Sequence, residues 1–187
     1  MTHAIFWSAL ALSVAKKRSI QARLAARPGQ RAPLARAAAV LGSGHAMVAF
    51  GVGLALLAAV THDRRLRVAA RSFAARGAIG WIAFDVTRFV LAERRPKDGG
   101  EMRFFARDGH GVSGHALATA LAYGPLVRAF DLGRGGRAAL LAWIAIVSWS
   151  RVRLDEHHLW NVLLGAAMGL DISRLLLPRT TAGPPVA

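Results

Sequence analysis

Arg151 and His157 are separated by five residues in the stretch Ser150-Arg151-Val152-Arg153-Leu154-Asp155-Glu156-His157-His158-Leu159-Trp160-Asn161, between two apolar segments. A turning linker of that length can aim a guanidinium and an imidazole at one small anion. His157 opens an apolar run that reads as a helix, which puts Asn161 one turn on, on the same face. Two other clusters share this character: Arg88 with Arg95-Pro96 closes one apolar segment, and Ser113-Gly114-His115 opens the next. Ser113 is a good helix N-cap, and the free N–H groups of the turn after it attract anions. Three arginines, a helix N-terminus and two histidines together describe a phosphate pocket with a nucleophile and an acid. The arginine forks match phosphate oxygens and neutralise the charge that spreads over them in the transition state. One imidazole can attack phosphorus, and the other can protonate the leaving oxygen.

The elements that must position these groups follow from composition. Apolar residues make up 54% of the 187 and the formal net charge is +15, while mean hydropathy is +0.35. Apolar and basic residues are segregated: of 25 Lys and Arg, only Arg76, Arg88, Arg128 and Arg174 fall inside the long apolar segments. This is the pattern of membrane helices with basic loops against anionic lipid, not of a nucleic-acid binder, whose cations would line one face. There is no cysteine, so no disulfide or thiolate metal site, and no carboxylate cluster has metal-ligand spacing.

Residues 37–60 carry no charged residue and are long enough to span a bilayer, with Gly42, Gly44, Gly51 and Gly53 making the helix thin. His45 within it reads as a packing residue. The connection 61–71 reads as a solvated basic turn. A second span covers 72–92, where Asp85 and Arg88 could pair at spacing i, i+3. Residues 97–112 form a polar loop, a helical pattern resumes over 113–130, a short apolar helix covers 138–149, and the last span runs over 157–177 with a Gly165/Gly169 packing face. Trp7, Leu10, Val14, Ile20 and Leu24 recur at helical spacing, giving an interfacial amphipathic helix that stops before Pro28-Gly29. The basic residues Lys16, Lys17 and Arg18 follow the first apolar run rather than precede it, which argues against a secretory signal. The expectation is an all-α integral membrane bundle with about five transmembrane helices and an N-terminal interfacial helix. Its divisions are an interfacial segment over 1–36, a membrane domain over 37–177 and a disordered tail over 178–187.

The spacings Arg88-x6-Arg95-Pro96, Ser113-Gly114-His115 and Ser150-Arg151-x5-His157-x3-Asn161 resemble the three-part signature of the type 2 phosphatidic acid phosphatase superfamily, which also contains the vanadium haloperoxidases. The resemblance covers about residues 40–177. It implies a helical membrane phosphatase that needs no metal and no cofactor. His157 would be the nucleophile that forms a phosphohistidine, His115 the general acid, and Arg88, Arg95 and Arg151 the phosphate clamp, with Ser113 and the Gly114 N–H adding hydrogen bonds. The substrate would be a lipid phosphate or an isoprenoid lipid diphosphate, taken from a multi-pass position in the cell's inner membrane with the site on the extracytoplasmic side. Membrane lipids, and not nucleic acid, would be its surroundings.

Three residues depart from that signature: Arg88 stands for Lys, Val112 for Pro, and Asn161 for the Asp that orients the nucleophile. Asn161 is expected to set its oxygen against the imidazole N–H distal to the substrate, preserving geometry without charge, so that Asn161→Asp would be the faster enzyme. The alternative is a catalytically weak relative that binds anionic lipid headgroups.

Overall fold

The computed structural model describes residues 2–26 and 31–175, and its regular structure among them is all helical. In chain order the helices are α1 (Thr2–Ala15), α2 (Lys17–Leu24), α3 (Pro33–Leu41), α4 (Gly44–Thr61), α5 (Arg64–Val90), α6 (Gly114–Leu121), α7 (Tyr123–Ala129), α8 (Arg134–Arg153) and α9 (Leu159–Leu175), with a 3-10 turn at Pro96–Asp98. The stop at Pro28-Gly29, residues 176–177 and the tail over 178–187 lie outside the described residues.

Helix ends differ from expectation where capping and proline outweigh the apolar pattern. The stretch 37–60 is two helices: α3 ends at Gly42, and the Ser43 hydroxyl accepts from Ala46 N–H to start α4. The basic connection 61–71 is mostly helix, because the Asp63 carboxylate accepts from the Arg65 and Leu66 N–H groups and starts α5 at Arg64. The stretch 113–130 breaks at Ala122, where Pro125 has no N–H to return to the Leu121 carbonyl. The helix expected over 138–149 extends at both ends to 134–153, so Arg151 sits on the last turn of α8 and not in a linker. His157 and His158 precede α9, leaving Asn161 in its first turn.

Among the described residues, α4 alone is both long and apolar enough to cross a membrane by length and composition. Its outer face is bare: Val48, Val52, Leu56 and Val60 are all exposed. Trp81, Ile82, Val86 and Phe89 on α5 are exposed likewise.

The chain packs α9 against α6, with α5 and α8 flanking α6. Glycine makes the α6–α9 approach possible: a Cβ on Gly165 would lie 2.6 Å from the Ser113 carbonyl oxygen, and one on Gly169 would lie 2.5 Å from that of Leu117. Gly165→Ala is therefore expected to lower stability by about 1–3 kcal/mol through overpacking. Gly53→Ala on α4, where nothing lies within 4 Å, should be neutral or stabilising by up to about 1 kcal/mol. Thermal unfolding of both variants in detergent checks the contrast, and equal effects would refute this packing.

The N-terminal helices do not stand apart from the rest. Helices α1 and α2 both pack on α9. The Gln21 amide donates to Val152 O (3.1 Å) and to Asp155 Oδ1 (2.6 Å), and Ala26 N–H donates to Arg153 O. Trp7, Val14 and Leu24, members of the expected apolar stripe, stay exposed.

Candidate active site

Alternating helix direction gathers the C-terminal ends of α5 and α8 with the N-terminal ends of α6 and α9. The loop 91–112 folds back over this end through Arg103 N–H to Ala92 O (2.7 Å), Arg94 N–H to Glu101 O (2.9 Å) and His110 N–H to Glu93 O (2.8 Å). It returns tightly at Gly111, which has φ +42° and whose missing Cβ would meet Arg88 Cα and Leu91 O at 2.9 Å. Only glycine takes that conformation and that approach without strain. Ser113 then caps α6 by accepting from Ala116 N–H (3.5 Å), while its own N–H donates to Asn161 O (3.0 Å) and ties α6 to α9.

After α8 the chain turns at Asp155, which has φ +58°. The Arg151 carbonyl accepts from both Glu156 N–H (3.0 Å) and His157 N–H (3.2 Å). This turn carries Glu156 and His157 into one narrow pocket with Arg95, His110 and Asn161. Three cations meet there on one carboxylate. Lys97 Nζ lies 2.6 Å from Glu156 Oε1, and Arg95 Nη1 and Arg151 Nη2 lie 2.7 Å and 3.6 Å from Oε2. The Lys97 contact is a directed hydrogen bond. Arg95 approaches off its N–H axis, so Oε2 has ion pairs and no hydrogen bond, and the buried Nε atoms of Arg95 and Arg151 have no acceptor. Burial opposes the Glu156 charge, but the Lys97 hydrogen bond and the charges of Arg95, Lys97 and Arg151 outweigh it and hold the carboxyl below its usual range.

His157 is 9% exposed. Burial first, and then the positive charge of Arg151 with His110, His115 and Arg95, pushes its pKa well below the usual imidazole value. The ring is therefore neutral at neutral pH, the form with a lone pair to offer an electrophile. His115, in the first turn of α6, feels the charges of Arg151, Glu156 and Arg95. So Arg95, Arg151, His115 and His157 are brought together. Arg88 is half-buried, has no ion pair with the exposed Asp85, and acts on His110 alongside Arg95. It does not figure among the charges acting on His157 or His115.

The expected place of Asn161 is corrected by its partners. Its Oδ1 accepts from the His158 backbone N–H (2.8 Å), and its Nδ2 donates to Gly111 O (2.6 Å) and to Glu93 Oε2 (3.0 Å). Both amide hydrogens and the oxygen are thus committed, and none of these bonds is to the His157 ring. Asn161 instead fixes the backbone next to His157. The reason is Glu93, a carboxylate 1% exposed that is also held by Lys17 Nζ at 2.6 Å. Glu93, Lys97, His110 and Lys17 escaped the sequence reading. Lys97 and Glu93 flank Arg95-Pro96, where position alone could have flagged them. Lys17, 76 residues before its partner, carries no local signal.

Among the described residues, no group of three or more His, Asp or Glu side chains is placed to hold a metal ion. A family model described as the PAP2 superfamily matches residues 88–181, half of the chain. No curated protein and no solved structure gives a significant match.

Proposed function

The chain belongs to the PAP2 superfamily, and on that premise we propose that it is a membrane-embedded phosphatase acting on a lipid phosphate or isoprenoid lipid diphosphate through a phosphohistidine. The observation that carries this reading is a seat where three cations converge on an anion beside a buried, neutral His157. Phosphate in that seat would present phosphorus to the imidazole. The P–N bond forms as the bond from phosphorus to the leaving oxygen breaks, and His115 gives that oxygen a proton. Water then attacks the phosphohistidine, His115 takes its proton, and the P–N bond breaks to release phosphate. Arg95, Arg151 and Lys97 stabilise the equatorial oxygens throughout, with Arg88 at the rim of the cluster. Ser113 and the Gly114 N–H, at the start of α6, add hydrogen bonds. Asn161 positions His157 through the backbone of His158.

Membrane embedding is supported by the apolar α4 and by the exposed Val, Leu, Ile, Phe and Trp side chains along α4 and α5. In this reading about five segments cross the inner membrane, with the site on the extracytoplasmic side.

The test is phosphate release by the purified full chain in detergent, from a panel of isoprenyl diphosphate, phosphatidate and phosphatidylglycerophosphate, with and without excess chelator. Release from at least one lipid, undiminished by chelator, is expected, because charge neutralisation is assigned to arginine and lysine. Loss of activity in chelator that zinc or magnesium restores would overturn that assignment. Anion binding without any release would favour the headgroup-binding alternative.

A further inference from the structure

The clamp is already full. Glu156 sends its carboxylate to Lys97, Arg95 and Arg151, the cations assigned above to the substrate phosphate, and it precedes His157 directly in the chain. We propose that Glu156 is a built-in competitor, whose carboxylate holds the phosphate seat in the unliganded protein and has to leave before phosphorus can reach His157. The proposal rests on the phosphate reading of the clamp.

Three observations bear on it. The carboxylate is not at the surface by default: its side chain is 18% exposed, and the Arg151 side chain it meets is 11% exposed. It fits the seat imperfectly, since two oxygens serve three cations. Arg95 is off axis to Oε2, and the Nε donors of Arg95 and Arg151 are buried without acceptors. Buried donors left empty are costly, and a tetrahedral anion with three or more free oxygens could fill them where a planar carboxylate does not. Finally, Glu156 is mounted on a turn, not within α8 or α9. Its side chain can therefore swing away while the Arg151 carbonyl keeps hold of the Glu156 and His157 N–H groups.

The consequence is selectivity by charge. A ligand has to offer more than one carboxylate's worth of charge and hydrogen-bond acceptance, so dianionic phosphate and diphosphate displace Glu156 and singly charged headgroups do not. Glu156 is thus a specificity-determining residue. Its presence raises KM, and its removal leaves the groups that make and break bonds in place.

Glu156→Gln keeps the shape and removes the charge. Binding of inorganic phosphate to the purified full chain, read by calorimetry, is compared between wild type and Glu156→Gln, with circular dichroism to confirm that both are folded. The variant is expected to bind phosphate about ten-fold tighter or more, equivalent to about 1.4 kcal/mol, and its KM for a lipid phosphate is expected to fall by a similar factor with kcat changed less. Binding by the variant where wild type shows none supports the proposal equally. If wild type binds and Glu156→Gln binds no better, or more weakly, Glu156 organises the cations instead of competing for them, and the proposal is overturned while the phosphate reading stands. If two folded proteins both fail to bind phosphate, the phosphate reading falls and takes the proposal with it.

Discussion

His157→Ala is expected to lose turnover on the order of 10³-fold or more, the scale reached when a covalent nucleophile is deleted, with helical content unchanged. The ring lies in the pocket end of the molecule and enters none of the helix caps or α6–α9 contacts described above, so the variant should fold. His115→Ala should lose about 10²- to 10⁴-fold, the usual worth of a positioned proton donor. The two losses are separable. With a substrate whose leaving group needs no proton, His115→Ala should recover most of the rate of the phosphohistidine-forming step, read as the first-turnover release of that leaving group, and His157→Ala none. The pH profile carries the sign of the His157 shift: because its pKa is depressed by burial and then by Arg151, the neutral, attacking form persists as pH falls through the ordinary imidazole range. The acid limb of kcat/KM for the wild type should therefore lie below that range. Phosphate release against pH measures it, and a His157→Ala protein near wild-type turnover would remove His157 from the mechanism.

The parts of this site that were legible in the sequence are those that local chemistry dictates. Ser113 is a capping residue before an apolar run, and it does cap α6. Arg95 and Arg151 stand at the junctions of apolar segments, and alternation of helix direction brings such junctions to one end. What stayed hidden depends on main-chain geometry or on distant partners. Hydrophobic periodicity reports which face is buried but not where the hydrogen-bond ladder stops, so the break at Gly42-Ser43 and the helical course of 64–71 were missed. The break at Ala122 was missed as well, although Pro125 carries a local signal for it. Nothing near Asn161 announces that its amide is claimed by Glu93, 68 residues earlier, and by the carbonyl of a left-handed Gly111. A residue that spacing would set against the His157 ring is thereby turned toward the backbone.

That turn reverses the expected outcome of restoring Asp at position 161. Asn161→Asp is expected to be destabilised and slower than wild type, not faster. In the wild type, Nδ2 supplies one hydrogen to Gly111 O and one to Glu93 Oε2; an aspartate would face both with lone pairs. Glu93 is 1% exposed, so two carboxylates would confront each other at about the 3.0 Å now spanned by the hydrogen bond. At an effective dielectric of ~20 that repulsion is about 4 kcal/mol for charges ~4 Å apart, and the lost hydrogen bonds add to it. Lys17 offsets part of it, and the rest is relieved only if one carboxyl takes up a proton. A negative charge sits here on Glu93, one hydrogen bond away from Asn161. Exchanging the two residue types tests this arrangement. In Glu93→Gln/Asn161→Asp, the new amide can donate to the new carboxylate, so the double variant should be more stable than the sum of the single losses, with a coupling of about 1–3 kcal/mol. Thermal unfolding of the four proteins of the cycle, with phosphate release from each, gives the answer. An Asn161→Asp protein as stable as wild type and faster would mean that Asn161 is free to address the His157 ring and that Glu93 does not hold it.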